Sequence, residues 1–143
     1  MSLYVVDANV VAKWFVPEDL SDEAARLLDE RHELASPDLL WPELGNVLWR
    51  KARVGQLTRR EASRIVRALD QLPVTVFASR LVLEGALEIA LATGRRVCDS
   101  VYVALAVGLD CRLVTADERL VNALGGGPLG PHVLWVGGPA AFD

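Results

Sequence analysis

The sequence predicts an α/β fold, a three-layer sandwich in which a short, mainly parallel sheet is flanked by helices. One observation predicts the fold class and a second predicts the number of domains. Short apolar runs rich in β-branched residues alternate with longer segments of helical periodicity, an alternation typical of parallel sheets with helices on both faces. The length of 143 residues is that of one ordinary domain with its own core. We therefore expect a single domain over residues 1–143.

Five short apolar segments are predicted strands. The first runs up to Asp7 and holds no charged residue itself, as expected of a strand that is buried on both faces. The predicted strands are Leu3–Val6, Leu34–Ser36, Val74–Phe77, Arg112–Thr115 and Val133–Val136.

Seven segments with helical spacing lie between and around these strands. Ser21 and Ser79 are expected to cap two of the helices, Thr58 and Glu61 have the spacing of a capping box, and Gly94 is expected to close a helix. The predicted helices are Asn9–Val16, a segment that opens at Ser21, Leu40–Arg53, Thr58–Gln71, Ser79–Ala92, Asp99–Val107 and Asp117–Leu124.

Composition excludes several classes of protein. With 52% hydrophobic residues the chain is too apolar to be disordered. The two cysteines, Cys98 and Cys111, are too few for a disulfide scaffold, and we expect both to be small buried side chains in a reducing compartment. The longest uncharged run, Leu120–Phe142, is broken by glycines and prolines, which argues against a membrane helix. We expect a cytoplasmic protein with no membrane contact.

Three aspartates occupy similar places relative to the predicted elements. Asp7 and Asp117 each lie between a strand and a helix, and Asp99 opens a helix. Because sites in parallel sheets form beyond the carboxyl ends of the strands, these carboxylates can converge. The alternative is that each only caps its helix. For Asp117 this alternative is weaker, because Thr115 and Glu118 already have capping-box spacing and would leave its carboxylate free.

Glu43 is an acid on the apolar stripe of a predicted helix, three residues after Leu40 and four before Val47. A buried carboxylate must be paired or bound to a cation, since an isolated buried charge is costly. Spacing alone leaves two possibilities open. Glu43 either forms an ion pair with Arg50 or Lys51, or it belongs to a site with the aspartates.

The four acids, if they meet, cannot all remain ionised without a cation, because like charges raise one another's pKa. A cluster of oxygen ligands suits Mg²⁺ or Mn²⁺ better than zinc. Such an ion holds phosphate oxygens and activates water, which is the chemistry of phosphodiester hydrolysis.

Four segments that contain these acids resemble, in order, the motifs of the PIN-domain ribonucleases, and among them the VapC-type toxins of type II toxin–antitoxin systems. Each motif alone is weak, but four in sequence over nearly the whole chain are specific. The segments are Val5–Glu18, Pro42–Leu48, Cys98–Ala106 and Leu113–Leu120.

The resemblance implies a PIN-like fold and a metal-dependent endoribonuclease that uses Mg²⁺, with Mn²⁺ as a plausible substitute. It implies that Asp7 and Asp99 ligate the metal most directly. Glu43 and Asp117 would complete the catalytic set, through water or by positioning the nucleophile.

The resemblance also implies a surrounding shell and partners. Thr115 would orient Asp117, and Asn9 stands where many relatives carry a small hydroxyl residue near the first acid. The expected partners are an RNA substrate, a small cognate antitoxin that covers the site, and a second copy of the chain in a homodimer. The alternative is a non-catalytic PIN module that binds RNA or a protein partner.

The formal net charge of -4 hides two segregated regions. The segment from Glu18 to Glu43 contains nine acids and two arginines, which gives a net charge of -7. Between Arg50 and Arg67, seven basic residues face one acid, for a net charge of +6. This basic segment is either a surface that follows RNA phosphates or an ordinary solvated helix face that can also meet an acidic partner. The RNA-binding candidates are Arg50, Lys51, Arg53, Arg59, Arg60 and Arg64.

Overall fold

The computed structural model describes residues 2–138, in which short strands alternate with helices. The strands are β1 (Ser2–Val6), β2 (His32–Pro37), β3 (Val74–Phe77), β4 (Arg112–Thr115) and β5 (Val133–Trp135). The helices are α1 (Ala8–Lys13), α2 (Ser21–Ala25), α3 (Leu40–Arg53), α4 (Arg59–Ala68), α5 (Leu83–Thr93), α6 (Val97–Gly108) and α7 (Glu118–Leu124). Short 3₁₀ turns cover Arg26–Leu28, Leu69–Gln71, Ser79–Val82 and Gly130–His132.

The strands form one sheet in the order β3-β2-β1-β4-β5, and each of these pairings is parallel. In the centre, Val5 pairs with Ala35 on one side and with Leu113 on the other. The chain first adds strands on one side of β1 and then crosses to the other side. The strand order therefore reverses between β1 and β4, which opens a crevice beyond their carboxyl ends.

Each face of the sheet is covered by its own group of helices. Tyr4, Val6 and Val114 point to one face and pack with α1, α2, α3 and α4, whereas Val5 and Leu113 point to the other face and pack with α6 and α7. This division follows from the alternation of side chains along a strand. The three-layer α/β class predicted from sequence is confirmed, and the sheet is parallel in all its pairings.

Two of the predicted helix boundaries are confirmed in detail. The Glu61 backbone N–H donates to Thr58 Oγ1 at 3.1 Å, and the Thr58 N–H donates to Glu61 Oε1 at 2.9 Å, which completes the capping box. Gly94 ends α5 with a φ of 74°, a conformation that costs glycine little.

The predicted boundaries around the first loop are wrong. Helix α1 ends at Lys13 rather than at Val16. The N-cap residue of α2 is Leu20, which has a φ of 68°. The Ser21 hydroxyl does not cap α2. It accepts a hydrogen bond from the Glu18 N–H at 2.9 Å and donates to the Val16 carbonyl, so it is used within the turn that joins the two helices.

The role expected of Ser79 is also wrong. Residues 79–82 form a 3₁₀ turn ahead of α5, and the Ser79 hydroxyl and N–H both donate to Asp38 Oδ1. The Ser79 hydroxyl also accepts from the Leu39 N–H at 3.2 Å. Ser79 therefore links the end of β3 to the start of α3 instead of capping a helix.

The two cysteines differ in their exposure. Cys98 is exposed and Cys111 is partly buried, and both are free thiols. The expectation that both are buried is wrong for Cys98, because α6 begins at Val97 and places Cys98 in its exposed first turn. In residues 2–138 no helix combines the length and the hydropathy needed to span a bilayer.

Candidate active site

A cavity of about 350 Å³ lies beyond the carboxyl ends of β1 and β4, where the strand order reverses. All four predicted catalytic acids line it: Asp7, Glu43, Asp99 and Asp117. Asn9 and Thr115, the residues predicted to surround them, line it as well. Residues from distant parts of the chain thus meet at one opening. Three of the helices beside it are α1, α3 and α6.

Asp7 is held by two hydrogen bonds at the end of β1. Its Oδ1 accepts from the Val10 N–H at 3.0 Å, which caps α1, and its Oδ2 accepts from the Thr115 hydroxyl at 2.6 Å. The sequence posed helix capping and a place in the site as alternatives for this residue. Asp7 does both, because each carboxylate oxygen serves one purpose.

Burial raises the pKa of Asp7 to about 6. The hydrogen bonds from Thr115 and Val10 lower this pKa, and the negative charges of Glu43 and Asp117 raise it. Glu43 and Asp117 line the same cavity as Asp7. A site with this much crowded negative charge favours a cation.

Thr115 is fully buried at the end of β4, and its hydroxyl connects the two strand ends. It donates to Asp7 and accepts from the Asp117 backbone N–H at 3.0 Å. Its hydroxyl therefore fixes the carboxylate of Asp7, whereas at Asp117 it holds only the backbone.

Asp117 caps α7 through its own side chain. Its Oδ1 accepts from the N–H groups of Arg119 and Leu120 at 3.1 and 3.3 Å. The expectation that Thr115 would release Asp117 from capping is wrong, because the Thr115 hydroxyl accepts from the Asp117 N–H and the first N–H groups of α7 donate to Asp117 itself. Asp117 still lines the cavity while it caps the helix.

Glu43 has a partner that the sequence reasoning missed. The Tyr102 hydroxyl donates to Glu43 Oε1 at 2.6 Å, and Tyr102 is buried against the sheet. Burial and this hydrogen bond hold the pKa of Tyr102 far above its usual range, so its phenol stays protonated as a donor. Of the two cations that the ion-pair alternative named, Arg50 and Lys51, Lys51 pairs with Glu18 instead. Tyr102 lies three residues after Asp99, and that spacing on one helix was the signal available for finding it.

Asp99 lines the cavity from the first turn of α6. Arg96, not Asp99, is the residue at the cap position, so Asp99 does not cap this helix. Asp99 Oδ2 lies 3.6 Å from Nε of Arg96, whose side chain is 85% exposed. Arg96 and Cys98 line the cavity too, and the sequence reasoning assigned neither of them to the site.

The predicted RNA-binding residues separate into two groups. Arg50 lines the carboxylate cavity, and Lys51 lines a second cavity beside it. Arg53 lies over the ring of Trp49, with 5.1 Å between its Cζ and the ring centroid. The remaining candidates are exposed on α4 and line neither cavity: Arg59, Arg60 and Arg64.

The donors in this cavity fit a hard divalent cation. They are carboxylate oxygens, the ligand type that Mg²⁺ and Mn²⁺ prefer. Within residues 2–138, no three His, Cys, Asp or Glu side chains lie close enough together to hold an ion as a group. A Mg²⁺ ion in this cavity would therefore use one or two of the carboxylates and complete its shell with water and substrate phosphate oxygens.

The chain matches the family model described as PIN domain over residues 4–124. It therefore belongs to the PIN domain family. Among its relatives, Ribonuclease VapC3 from Pyrobaculum aerophilum is 38% identical over 120 residues, which are 82% of this chain and 92% of that protein.

Two solved structures share the fold. The crystal structure of PAE2754 from Pyrobaculum aerophilum superposes with a TM-score of 0.65 at 22% identity, covering 94% of this chain and 91% of that one. A toxin–antitoxin complex from Klebsiella pneumoniae gives a TM-score of 0.62 at 15% identity, covering 94% of this chain and 96% of that one. The resemblance drawn from the four sequence motifs is confirmed.

Proposed function

We propose that this chain is a ribonuclease that hydrolyses RNA phosphodiester bonds with the help of a divalent cation, and that it acts as the toxin of a toxin–antitoxin pair. The observation that carries the proposal is the convergence of four carboxylates on one cavity at the switch point of a PIN-domain sheet. The similarity to a protein named Ribonuclease VapC3 supports the choice of RNA as substrate.

Asp7 and Asp99 would hold Mg²⁺, or Mn²⁺ in its place. The ion supplies positive charge against the phosphate oxygens and activates water for attack. The Thr115 hydroxyl keeps Asp7 aimed into the cavity, while Asn9 flanks it on α1.

Glu43 and Asp117 serve the nucleophile in this proposal. Tyr102 binds one oxygen of Glu43 and so fixes the orientation of the carboxylate, and the other oxygen is a proton acceptor for an attacking water. Asp117 is held by the N-terminus of α7 and orients water from the β4 side of the cavity. Arg50 meets the substrate phosphates at the edge of the opening.

The proposed partner is a small antitoxin that covers the cavity. Support comes from the toxin–antitoxin complex of Klebsiella pneumoniae, whose fold this chain shares. Homodimerisation and a cytoplasmic location stay predictions from the sequence.

A second candidate is a PIN module that binds RNA or a protein without cutting. The observation that favours it is the absence, in the described part of the chain, of any three side chains able to hold an ion together. Calorimetry with Mg²⁺ and Mn²⁺ separates the two candidates, because only the nuclease is expected to take up the ions at the cavity.

The test of the nuclease is an RNA-cleavage assay on the wild-type chain, on Asp7→Asn and on Asp22→Asn, with Mg²⁺ and with a chelator. Asp22 is an exposed acid in the first turn of α2, so its variant is a matched control. We expect Asp7→Asn to cleave at least about 100-fold more slowly, since even the partners of metal ligands cost up to this much. Equal cleavage by wild type and Asp7→Asn would show that the site is misassigned. A wild-type chain that does not bind the metal ions and does not cut RNA would favour the second candidate.

A further inference from the structure

A second cavity, of about 510 Å³, lies beside the carboxylate cavity. The two share four lining residues: Asn9, Val47, Arg50 and Asp117. They therefore adjoin, and a strand of substrate that reaches the carboxylates from this side must pass the second cavity. Its walls hold charged groups that the proposed chemistry does not use.

Lys13 of α1 and Lys51 of α3 reach the same carboxylate there, that of Glu18 in the loop after α1. Lys13 Nζ lies 3.2 Å from Glu18 Oε1, and Lys51 Nζ donates to Glu18 Oε2. We call these three residues the lysine clamp. The side chains of Lys13 and Lys51 are only 11% and 13% exposed. Burial alone would raise the pKa of Glu18, but the hydrogen bonds from Lys51 and Lys13 hold it below its usual value, so Glu18 is ionised.

The lysine clamp carries an unbalanced positive charge. Two ammonium groups face one carboxylate, and the wall of the second cavity as a whole holds three cations, Lys13, Lys51 and Arg50, against two acids, Glu18 and Asp117, for a net charge of +1. Each ammonium has three donors, of which the described hydrogen bonds to Glu18 use one. Covered positive charge with spare donors favours an anion, because a largely buried charge is stabilised by a partner.

Glu18 also prepares the lysines for such a ligand. A free lysine side chain loses conformational entropy when it is fixed in one position. Glu18 fixes both lysines before any ligand arrives, so that cost does not fall on binding. Glu18 itself belongs to the acidic stretch after α1, and the two lysines neutralise its charge.

We propose that the lysine clamp binds a backbone phosphate of the RNA strand next to the phosphate that is cleaved, with Arg50 between the two positions. The ligand is a phosphodiester monoanion, which lysine binds as a point charge without base specificity. This inference rests on the proposed ribonuclease function. It assigns Lys13 and Glu18, which the sequence did not mark for RNA, and it favours Lys51 over the arginines of α4.

A purely structural role for the lysine clamp makes a different prediction. If the ion pairs only tie α1 to α3, their loss lowers the stability of the fold and leaves the salt dependence of RNA binding unchanged. A phosphate contact instead adds to that salt dependence, because each contact with single-stranded RNA releases bound counterions and contributes about 0.7 to the slope of log Kd against log salt.

The experiment measures binding of a fluorescein-labelled single-stranded RNA in a chelator, where no cleavage occurs, at several KCl concentrations. The proteins are wild type, Lys13→Gln, Lys51→Gln, the double variant and Arg112→Gln. Arg112 is exposed at the amino end of β4, the opposite end of the strand from the cavities, so its variant removes the same charge elsewhere. For the double variant we expect the slope to fall by about 0.7 and the Kd to rise about tenfold at low salt. Arg112→Gln should change the Kd less than about twofold.

An unchanged slope and Kd in a folded double variant would overturn the inference. If the double variant does not fold, the single variants decide: each is expected to lower the slope, and unchanged slopes in both overturn the inference. The double variant Lys13→Arg with Lys51→Arg keeps both charges and is expected to retain the wild-type slope.

Cleavage by the wild type in Mg²⁺, measured in parallel, separates the two proposals. If the wild type cleaves RNA and the double variant binds RNA normally, only the inference about the lysine clamp is overturned. If the wild type never cleaves RNA but its RNA binding depends on the lysines, only the proposed nuclease activity is overturned.

Discussion

The two walls of the carboxylate cavity hold their acids in different ways. On the sheet wall, formed by the ends of β1 and β4, Asp7 is partly buried and fixed by hydrogen bonds of 2.6 and 3.0 Å from Thr115 and Val10. On the helix wall, formed by the first turn of α6, Asp99 has a 3.6 Å ion pair with Arg96, whose side chain is mostly in solvent.

The two carboxylates are therefore held with different rigidity. The sheet wall fixes one carboxylate in place before a ligand arrives, which is the kind of preorganisation that catalysis needs. The helix wall leaves its carboxylate able to adjust, because an exposed ion pair contributes little to holding a side chain. Substitutions of the neighbours of the two acids should therefore have unequal effects.

The largest effect is expected from Thr115→Val, which keeps the shape of the side chain and removes the hydroxyl that joins the strand ends. Asp7 Oδ2 and the Asp117 N–H both lose their partner. We expect the cleavage rate to fall about 10–100-fold and the free energy of unfolding to fall by about 1–3 kcal/mol. Initial rates of RNA cleavage and urea unfolding measure the two.

Thr115→Ser is the matched control, since it keeps the hydroxyl. It should retain a rate much closer to that of the wild type. If Thr115→Val cleaved RNA at the wild-type rate, the sheet wall would not be what positions Asp7, and the contrast between the walls would fail.

The sheet wall shows which part of the site can be predicted from sequence. The positions of Asp7 and Asp117 follow from local patterns, because each acid comes just after a short apolar run. The partner of Thr115 does not follow from them. Its spacing to Glu118 is a local capping signal, but the parallel register of β4 on β1 brings its hydroxyl to Asp7, 108 residues away in the chain. A local sequence pattern does not show which distant group the Thr115 hydroxyl will bind.

Charge patterns have the same limit. The net charge of the segment from Arg50 to Arg67 drew attention to α4, whose arginines line neither cavity. The lysine clamp combines a cation from α1, an acid from the acidic stretch and a cation from α3. Net charge along the chain does not show which cations share a cavity, since that depends on how the helices pack.

Tyr102→Phe tests the position of Glu43, which lies on α3 and is held by α6 rather than by the sheet. The change removes the 2.6 Å hydrogen bond to Glu43. We expect the unfolding free energy to fall by about 1 kcal/mol and the cleavage rate by up to about tenfold. Both effects are smaller than for Thr115→Val, because one group loses its partner instead of two.

Glu43→Gln is the companion variant, because an amide oxygen can still accept from the tyrosine but the negative charge is lost. A rate much lower than that of Tyr102→Phe is expected if Glu43 accepts a proton. Equal rates in the two variants would mean that Glu43 acts only through its orientation.

The smallest effect is expected from Arg96→Gln on the helix wall. The ion pair that it removes is long and exposed, so we expect the free energy of unfolding to change by less than about 0.5 kcal/mol. Cleavage at saturating Mg²⁺ should stay within about threefold, and half-maximal activity should need less Mg²⁺, because a competing positive charge has left Asp99. Arg80→Gln, at an exposed position in the 3₁₀ turn before α5, is the matched control and should leave the Mg²⁺ requirement unchanged. If Arg96→Gln instead slowed cleavage as much as Thr115→Val does, Asp99 would depend on its neighbour as strongly as Asp7 depends on Thr115, and the two walls would be equivalent.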